Sequence, residues 1–148
     1  MSAARDRAWR FEIPQRVVTG VSQAWRAAGL QVAPDGRVMM VTGDDAIRQA
    51  ILMLVSTIPG ERVMRPEYGC HLHRLLFSPN DETTAGLAIH YVRDAIERWE
   101  PRIEIMSLDA TRDEERPSQL DILLSYVVRA TRTSEQLAIP VDLMGRAA

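Results

Sequence analysis

Lysine is absent from this sequence, and all 18 basic side chains are arginine. A GC-rich coding bias accounts for the choice, but the physical consequence stands. Arginine presents a planar fork that pairs carboxylates through two hydrogen bonds, so the surface suits fixed, salt-bridged contacts. Cysteine is nearly absent too. Cys70 alone excludes an internal disulfide framework and permits a reducing compartment. Aromatic residues make up only 5% of the chain, which leaves little from which to build a sugar-binding cleft. No window holds the ~20 apolar residues of a membrane span. The opening MSAARDRAWRFEIPQ lacks the apolar run of a signal peptide. The chain is therefore expected to be made and kept in the cytoplasm, with no direct membrane insertion. A net charge of −2 supplies no general field toward nucleic acid, and none is expected as a partner.

What is present suits one globular domain. A chain of 148 residues can bury about 68–70% of its unfolded surface without disulfide or metal. We expect a single domain over 1–148, with a short, irregular N-terminal extension over 1–42 and a core over 43–148. In the extension, Trp9, Phe11 and Ile13 alternate with charges up to Pro14, which is a short strand signal. Val21 to Ala28 suggests helical turns, Ala33-Pro34-Asp35-Gly36 a turn, and Arg37 to Val41 a strand.

The core opens with a helix for which Asp44 is the expected N-cap. Ile47, Ala50, Ile51, Leu54 and Val55 form its apolar stripe, and Pro59-Gly60 ends it. His71 to Phe77 suits a helical turn or a strand. Ser78 as cap and Pro79 at the first helical position predict a second helix, running to about Trp99. Its apolar face holds Ala88, Tyr91, Val92, Ala95, Ile96 and Trp99. Pro101 stops it by pushing Glu100 out of helical geometry.

The last third predicts sheet. Apolar parity shifts between Ile105 and Met106, which predicts a bulge. Leu120, Ile122, Leu124, Tyr126 and Val128 share one face of a central strand, with Leu123 and Val127 partly buried on the other. Leu137, Ile139, Val141 and Leu143 alternate with polar or small residues. Pro140 cannot donate to a ladder, so that strand belongs at an edge or pairs on one side only there. The fold class is α+β: two main helices packed on a three-stranded antiparallel sheet.

The densest chemistry lies in PGERVMRPEYGCHLHRLLF, residues 59–77. Pro59 and Pro66 restrict the backbone, and Gly60 and Gly69 permit angles that a side chain forbids. The result is a rigid loop that holds Glu61, Arg62, Arg65 and Glu67 at set positions. Cys70, His71 and His73 invite a metal reading. No second cluster follows at ligand spacing, so no metal and no cofactor are expected. Glu61 and Glu67 invite a glycosidase pair, but each has an arginine close by. No catalytic residues are assigned. Glu100-Pro101-Arg102 places an acid and a base on either side of a rigid corner, and half-buried pairs of this kind define one geometry.

PGER, RPEYG and EPR occur here in an order that resembles the baseplate wedge and sheath-initiator family of contractile injection systems. The resemblance runs tightly from about Ile47 to Ile105 and by pattern through the C-terminal strands. It implies a structural protein rather than an enzyme. It also implies a wedge-docking interface at Glu100, Pro101 and Arg102, with Glu61, Arg62, Arg65, Pro66, Glu67, Tyr68 and Gly69 beside it. The implied partners are baseplate wedge proteins, a sheath subunit, and hub or inner-tube proteins. Leu137, Ile139, Val141 and Leu143 mark the strand expected to pair with the sheath by strand addition. The alternatives are a tail-associated peptidoglycan hydrolase and an unrelated intracellular adaptor domain.

Overall fold

A computed structural model describes residues 7–11, 17–18 and 30–144. In chain order the elements are β1 (Arg7–Trp9), β2 (Val17–Val18), β3 (Met40–Thr42), α1 (Asp44–Ser56), a 3-10 turn (His71–Leu75), α2 (Glu82–Trp99), β4 (Ile103–Arg112), β5 (Gln119–Val128) and β6 (Ser134–Asp142). The expected meander β4-β5-β6 is antiparallel throughout, and α1 and α2 are its two main helices. The two-residue β2 adds to the outside of β6 in parallel, giving the order β2-β6-β5-β4.

Alternation sets the sheet's inner face. Leu120, Ile122, Leu124, Tyr126 and Val128 of β5 are all buried, as are Leu137, Ile139 and Val141 of β6 and Leu143 just beyond it. The opposite face of β5 is more open than its apolar residues suggest. Val127 is half-buried, but Leu123 is 47% exposed, because no described helix covers that side. Pairing of β4 with β5 jumps between Ile105 and Ser107 and leaves Met106 as the extra residue. The bulge carries the inner-face set from Ile103 and Ile105 to Leu108 and Ala110.

Both helices pack their stripes on this face. Ile47, Ile51, Leu54 and Val55 of α1 are buried, and Ala50 is half-buried. From α2, Ala88, Val92, Ala95 and Ile96 are buried, while Tyr91 and Trp99 are partly so. Full burial of one such Val, Ile or Leu side chain contributes about 1.5–3 kcal/mol. Leu72 and Leu75 of the 3-10 turn close the gap beside α2.

Both predicted helix starts need correction. Gly43, not Asp44, is the N-cap of α1, with φ 63° and no side-chain cap. Asp44 is already helical, and with Asp45 it sets acid against the positive helix end. Asp81, not Ser78, caps α2: its carboxylate accepts the Thr84 N–H at 2.8 Å. The backbone N–H of Ser78 is used earlier, donating to Leu75 O to close the preceding turn. Asn80 then ties the approach to β5 by donating to the carbonyls of Pro117 and Gln119.

The N-terminal extension makes a small ribbon. β1 pairs antiparallel with β3, Phe11 bridges Leu30, and Val32 bridges Val38 across the 33–36 turn. Gln49 of α1 anchors it, accepting the Phe11 N–H at 3.0 Å and donating to Trp9 O at 2.7 Å. The helical turns predicted over Val21 to Ala28, and the Ile13-Pro14 end of the first strand, lie outside the described residues.

Candidate functional site: a charged corner at the end of α2

α2 ends at Trp99. Glu100, its C-cap, has left helical geometry at φ −126° and ψ 72°. That residue precedes Pro101, whose ring disfavours helix before it. The turn brings Arg102 back onto Glu100. Arg102 Nε donates to Oε1 at 2.6 Å, and a second guanidinium nitrogen donates to Oε2 at 2.8 Å. This is the bidentate geometry that arginine favours. The Glu100 side chain is 7% exposed and that of Arg102 40%, so the acid is buried and the base opens to solvent.

The 59–69 loop packs against the same end of α2. Tyr68 meets Trp99 edge-on at 5.4 Å between ring centroids. The Arg62 guanidinium lies 4.3 Å from the Tyr68 ring centroid. Glu67 is ion-paired with Arg98. Burial pushes the Tyr68 hydroxyl pKa up against the opposing charge of Arg62, and the fields of Glu100, Arg65 and Arg102 reach it too. The loop and the Glu-Pro-Arg corner, about thirty residues apart in the chain, thus share one surface.

Gly69 makes the loop's close approach possible. Its φ is +141°, and a Cβ there would sit 2.5 Å from Thr57 O and 2.9 Å from Pro59 N. The next residue seals the contact, with Cys70 N–H donating to Thr57 O at 2.9 Å.

Beside the corner a groove of about 460 Å³ opens between α2 and β4. Ile96, Pro101, Ile103 and Ile105 give it an apolar lining, and Arg93, Glu97, Glu104 and Arg129 add charge. Sequence reading reached Glu100 and Pro101 but missed the other groove residues. Arg93 and Glu97 carry a helical i, i+4 signal, but Glu104 and Arg129 join them only through sheet pairing.

The other constellations separate. His71 and His73 lie in the 3-10 turn with ring centroids 5.7 Å apart. Cys70 is buried, its thiol donates to Tyr91 O at 3.4 Å, and burial pushes its pKa up to about 12. Such a thiol stays protonated and is a poor ligand. Among the described residues, no group of three or more His, Cys, Asp or Glu side chains converges. Of the suspected glycosidase pair, Glu61 accepts the Ile58 N–H at 3.1 Å and Glu67 holds Arg98 of α2, so both carboxylates are engaged within the chain.

The strand residues Leu137, Ile139, Val141 and Leu143 lie apart from the corner, with their side chains in the core. What β6 offers outward is backbone. Val128 N–H donates to Thr133 O, and Leu143 N–H to Ser118 O, each at 2.9 Å. These two bonds set the phase of the ladder. Residues 137, 139 and 141 bond to β5, while 136, 138 and 140 point their backbone groups away. Pro140 therefore lacks a donor only on the outer edge, as expected from its sequence position.

Residues 41–133 match the family of baseplate wedge protein gp25, and that span includes the loop, the corner and the groove. The chain belongs to this family. The baseplate wedge protein gp25 of Enterobacteria phage T4 is 30% identical over 64 residues, 43% of this chain and 48% of the phage protein. The match thus spans about half the length of that relative. A Geobacter sulfurreducens crystal structure, provisionally described as a tail lysozyme, is 37% identical. The overlap covers 72% of this chain and 96% of that one, with a TM-score of 0.66. A protein of the postcontracted pyocin R2 baseplate is 28% identical over 68% of this chain and 97% of its own, with a TM-score of 0.54. Among the described residues, no helix is long and apolar enough to cross a membrane.

Proposed function

We propose that this chain is a structural wedge subunit of a contractile injection system, docked on the wedge core and seeding the first sheath ring. It acts as one unit, with the N-terminal extension over 1–42 carried on the 43–148 core. The observation that carries the reading is the meeting of the Glu-Pro-Arg corner, the 59–69 loop and the groove on one surface, all within the span that matches the family. A bidentate pair holds the corner in one shape, and the groove beside it offers apolar area ringed by charge. Those are properties of an interface. Hydrolysis finds little support in the same residues, since Glu61 is engaged by the Ile58 N–H and Glu67 by Arg98 of α2.

Sheath seeding rests on the outer edge of β6. Among the described residues only Val17 and Val18 pair there, opposite Val141 and Asp142. The outward backbone groups at 136 and 138 have no partner among the described residues, and strand addition at an edge uses such groups. The docking reading is tested by assembling baseplates from Glu97→Arg/Glu104→Arg protein. Both side chains are exposed, so the circular dichroism spectrum and melting temperature should match wild type while incorporation fails. Normal incorporation of this variant would remove the groove from the interface.

A further inference from the structure

Val63 and Met64 stand out at the tip of the 59–69 loop. They are 94% and 91% exposed, the most open large apolar side chains among the described residues. Single exposed apolar residues are ordinary on protein surfaces. These two occupy the corner of a closed β-turn, with Arg65 N–H donating to Arg62 O at 3.2 Å. A second turn follows at once, Tyr68 N–H donating to Arg65 O at 3.1 Å. Arg62 on Tyr68, Tyr68 on Trp99, and Gly69 against Thr57 fix both turns to the body of the protein. The tip is thus held in place before any partner arrives, and little ordering entropy remains to be lost on binding.

The charge around the tip is lopsided. Glu61 accepts the Ile58 N–H and Glu67 is ion-paired with Arg98, so neither carboxylate is paired with Arg62 or Arg65. Arg65 is exposed, and Arg62 stacks on the Tyr68 ring. We propose that Val63 and Met64 form a plug that seats in an apolar socket, rimmed by carboxylates, on a neighbouring baseplate protein. This rests on the docking reading for the identity of the particle. A protein socket suits the tip better than a lipid surface, because the loop is fixed to the same end of α2 as the docking corner.

Hydrogen peroxide footprinting of Met64 tests the plug, with purified baseplates compared against the isolated chain. Met106, 64% exposed at the β4 bulge, provides a second exposed methionine on the same chain. Oxidation of Met64 should slow by about tenfold or more on assembly, as burial in a central pocket requires. A Val63→Ser/Met64→Ser chain should melt like wild type yet lose a competition for incorporation by about tenfold or more. Arg65→Glu should weaken incorporation as well. An unchanged Met64 rate in baseplates that contain the chain overturns the socket alone, and cosedimentation with phosphatidylglycerol vesicles would then reassign the tip to lipid. Equal incorporation of the serine variant also overturns it, and a neutral Arg65→Glu overturns the acidic rim. If wild-type chain is missing from purified baseplates, the docking reading fails and the socket fails with it.

Discussion

Replacing Arg102 with alanine strands the carboxylate of Glu100. That side chain is 7% exposed, and the Arg102 guanidinium supplies it with hydrogen bonds of 2.6 and 2.8 Å. Removing one partner of a fully buried pair costs about 3–5 kcal/mol. Arg102 is 40% exposed, so water screens the pair and can enter the vacated space. We therefore expect a loss of about 2–3 kcal/mol, below the fully buried range. For a chain of this size each kcal/mol moves the melting temperature by about 2–4 °C, so the fall is about 4–12 °C. Urea unfolding followed by far-ultraviolet circular dichroism measures the loss directly. Glu100→Gln in the same background tests its cause. A neutral amide is cheaper to bury than a carboxylate, so the double variant should be more stable than Arg102→Ala alone. A single-variant loss under about 0.5 kcal/mol, the scale of an ordinary surface change, would refute the stranded-charge account. So would a double variant less stable than the single one.

Gly69→Ala should destabilise by roughly 2 kcal/mol or more, since its Cβ meets the Thr57 carbonyl at a backbone angle side chains rarely adopt; a melting temperature equal to wild type would show that the loop shifts freely. Burial raises the pKa of Cys70 from 9.0 to about 12, and burial followed by the field of Glu135 raises that of Tyr126 from 10.0 to about 12. The stability these groups contribute is complete below their unfolded values and disappears as pH rises through about 12, so the urea midpoint should fall from pH 9 upward, and less steeply in Cys70→Ala; a midpoint flat between pH 9 and 11 would contradict it. Gln136→Pro/Ala138→Pro removes two outward donors from β6 while sparing its bonds to β5, so this variant should fold and enter baseplates but fail to start sheaths; full-length sheaths would rule out strand addition at this edge.

Much of the fold was legible because it follows from period. Ala88, Val92, Ala95 and Ile96 fall at helical spacing, and all are buried. The parity shift at Ile105 and Met106 is the bulge itself. Caps were less legible, because a cap depends on where the preceding turn closes. Ser78 has the right chemistry, but its N–H closes a turn on Leu75, and the helix starts three residues later. The 59–69 loop drew attention through its charges, while the side chains it exposes most are Val63 and Met64, which lie between them. Nor does local pattern reveal that Glu104 and Arg129 border one groove with Arg93, since they meet only after a hairpin folds.

The outer edge of β6 joins local pattern to assembly. An unprotected edge invites pairing with any chain, and proteins commonly blunt it with proline, charge or a covering segment. Here Pro140 silences one outward donor, and β2 covers the neighbouring Val141 and Asp142. Both devices sit at the C-terminal end of the strand. Towards its start, no described residue pairs with the outward backbone groups of Gln136 and Ala138, and 138 places a small side chain on the exposed face. In the proposed strand addition, blunting at this end sets a direction: the partner strand would enter over 134–139 and stop at Pro140. That restriction would fix the register of the first added strand, which a template for an ordered ring requires.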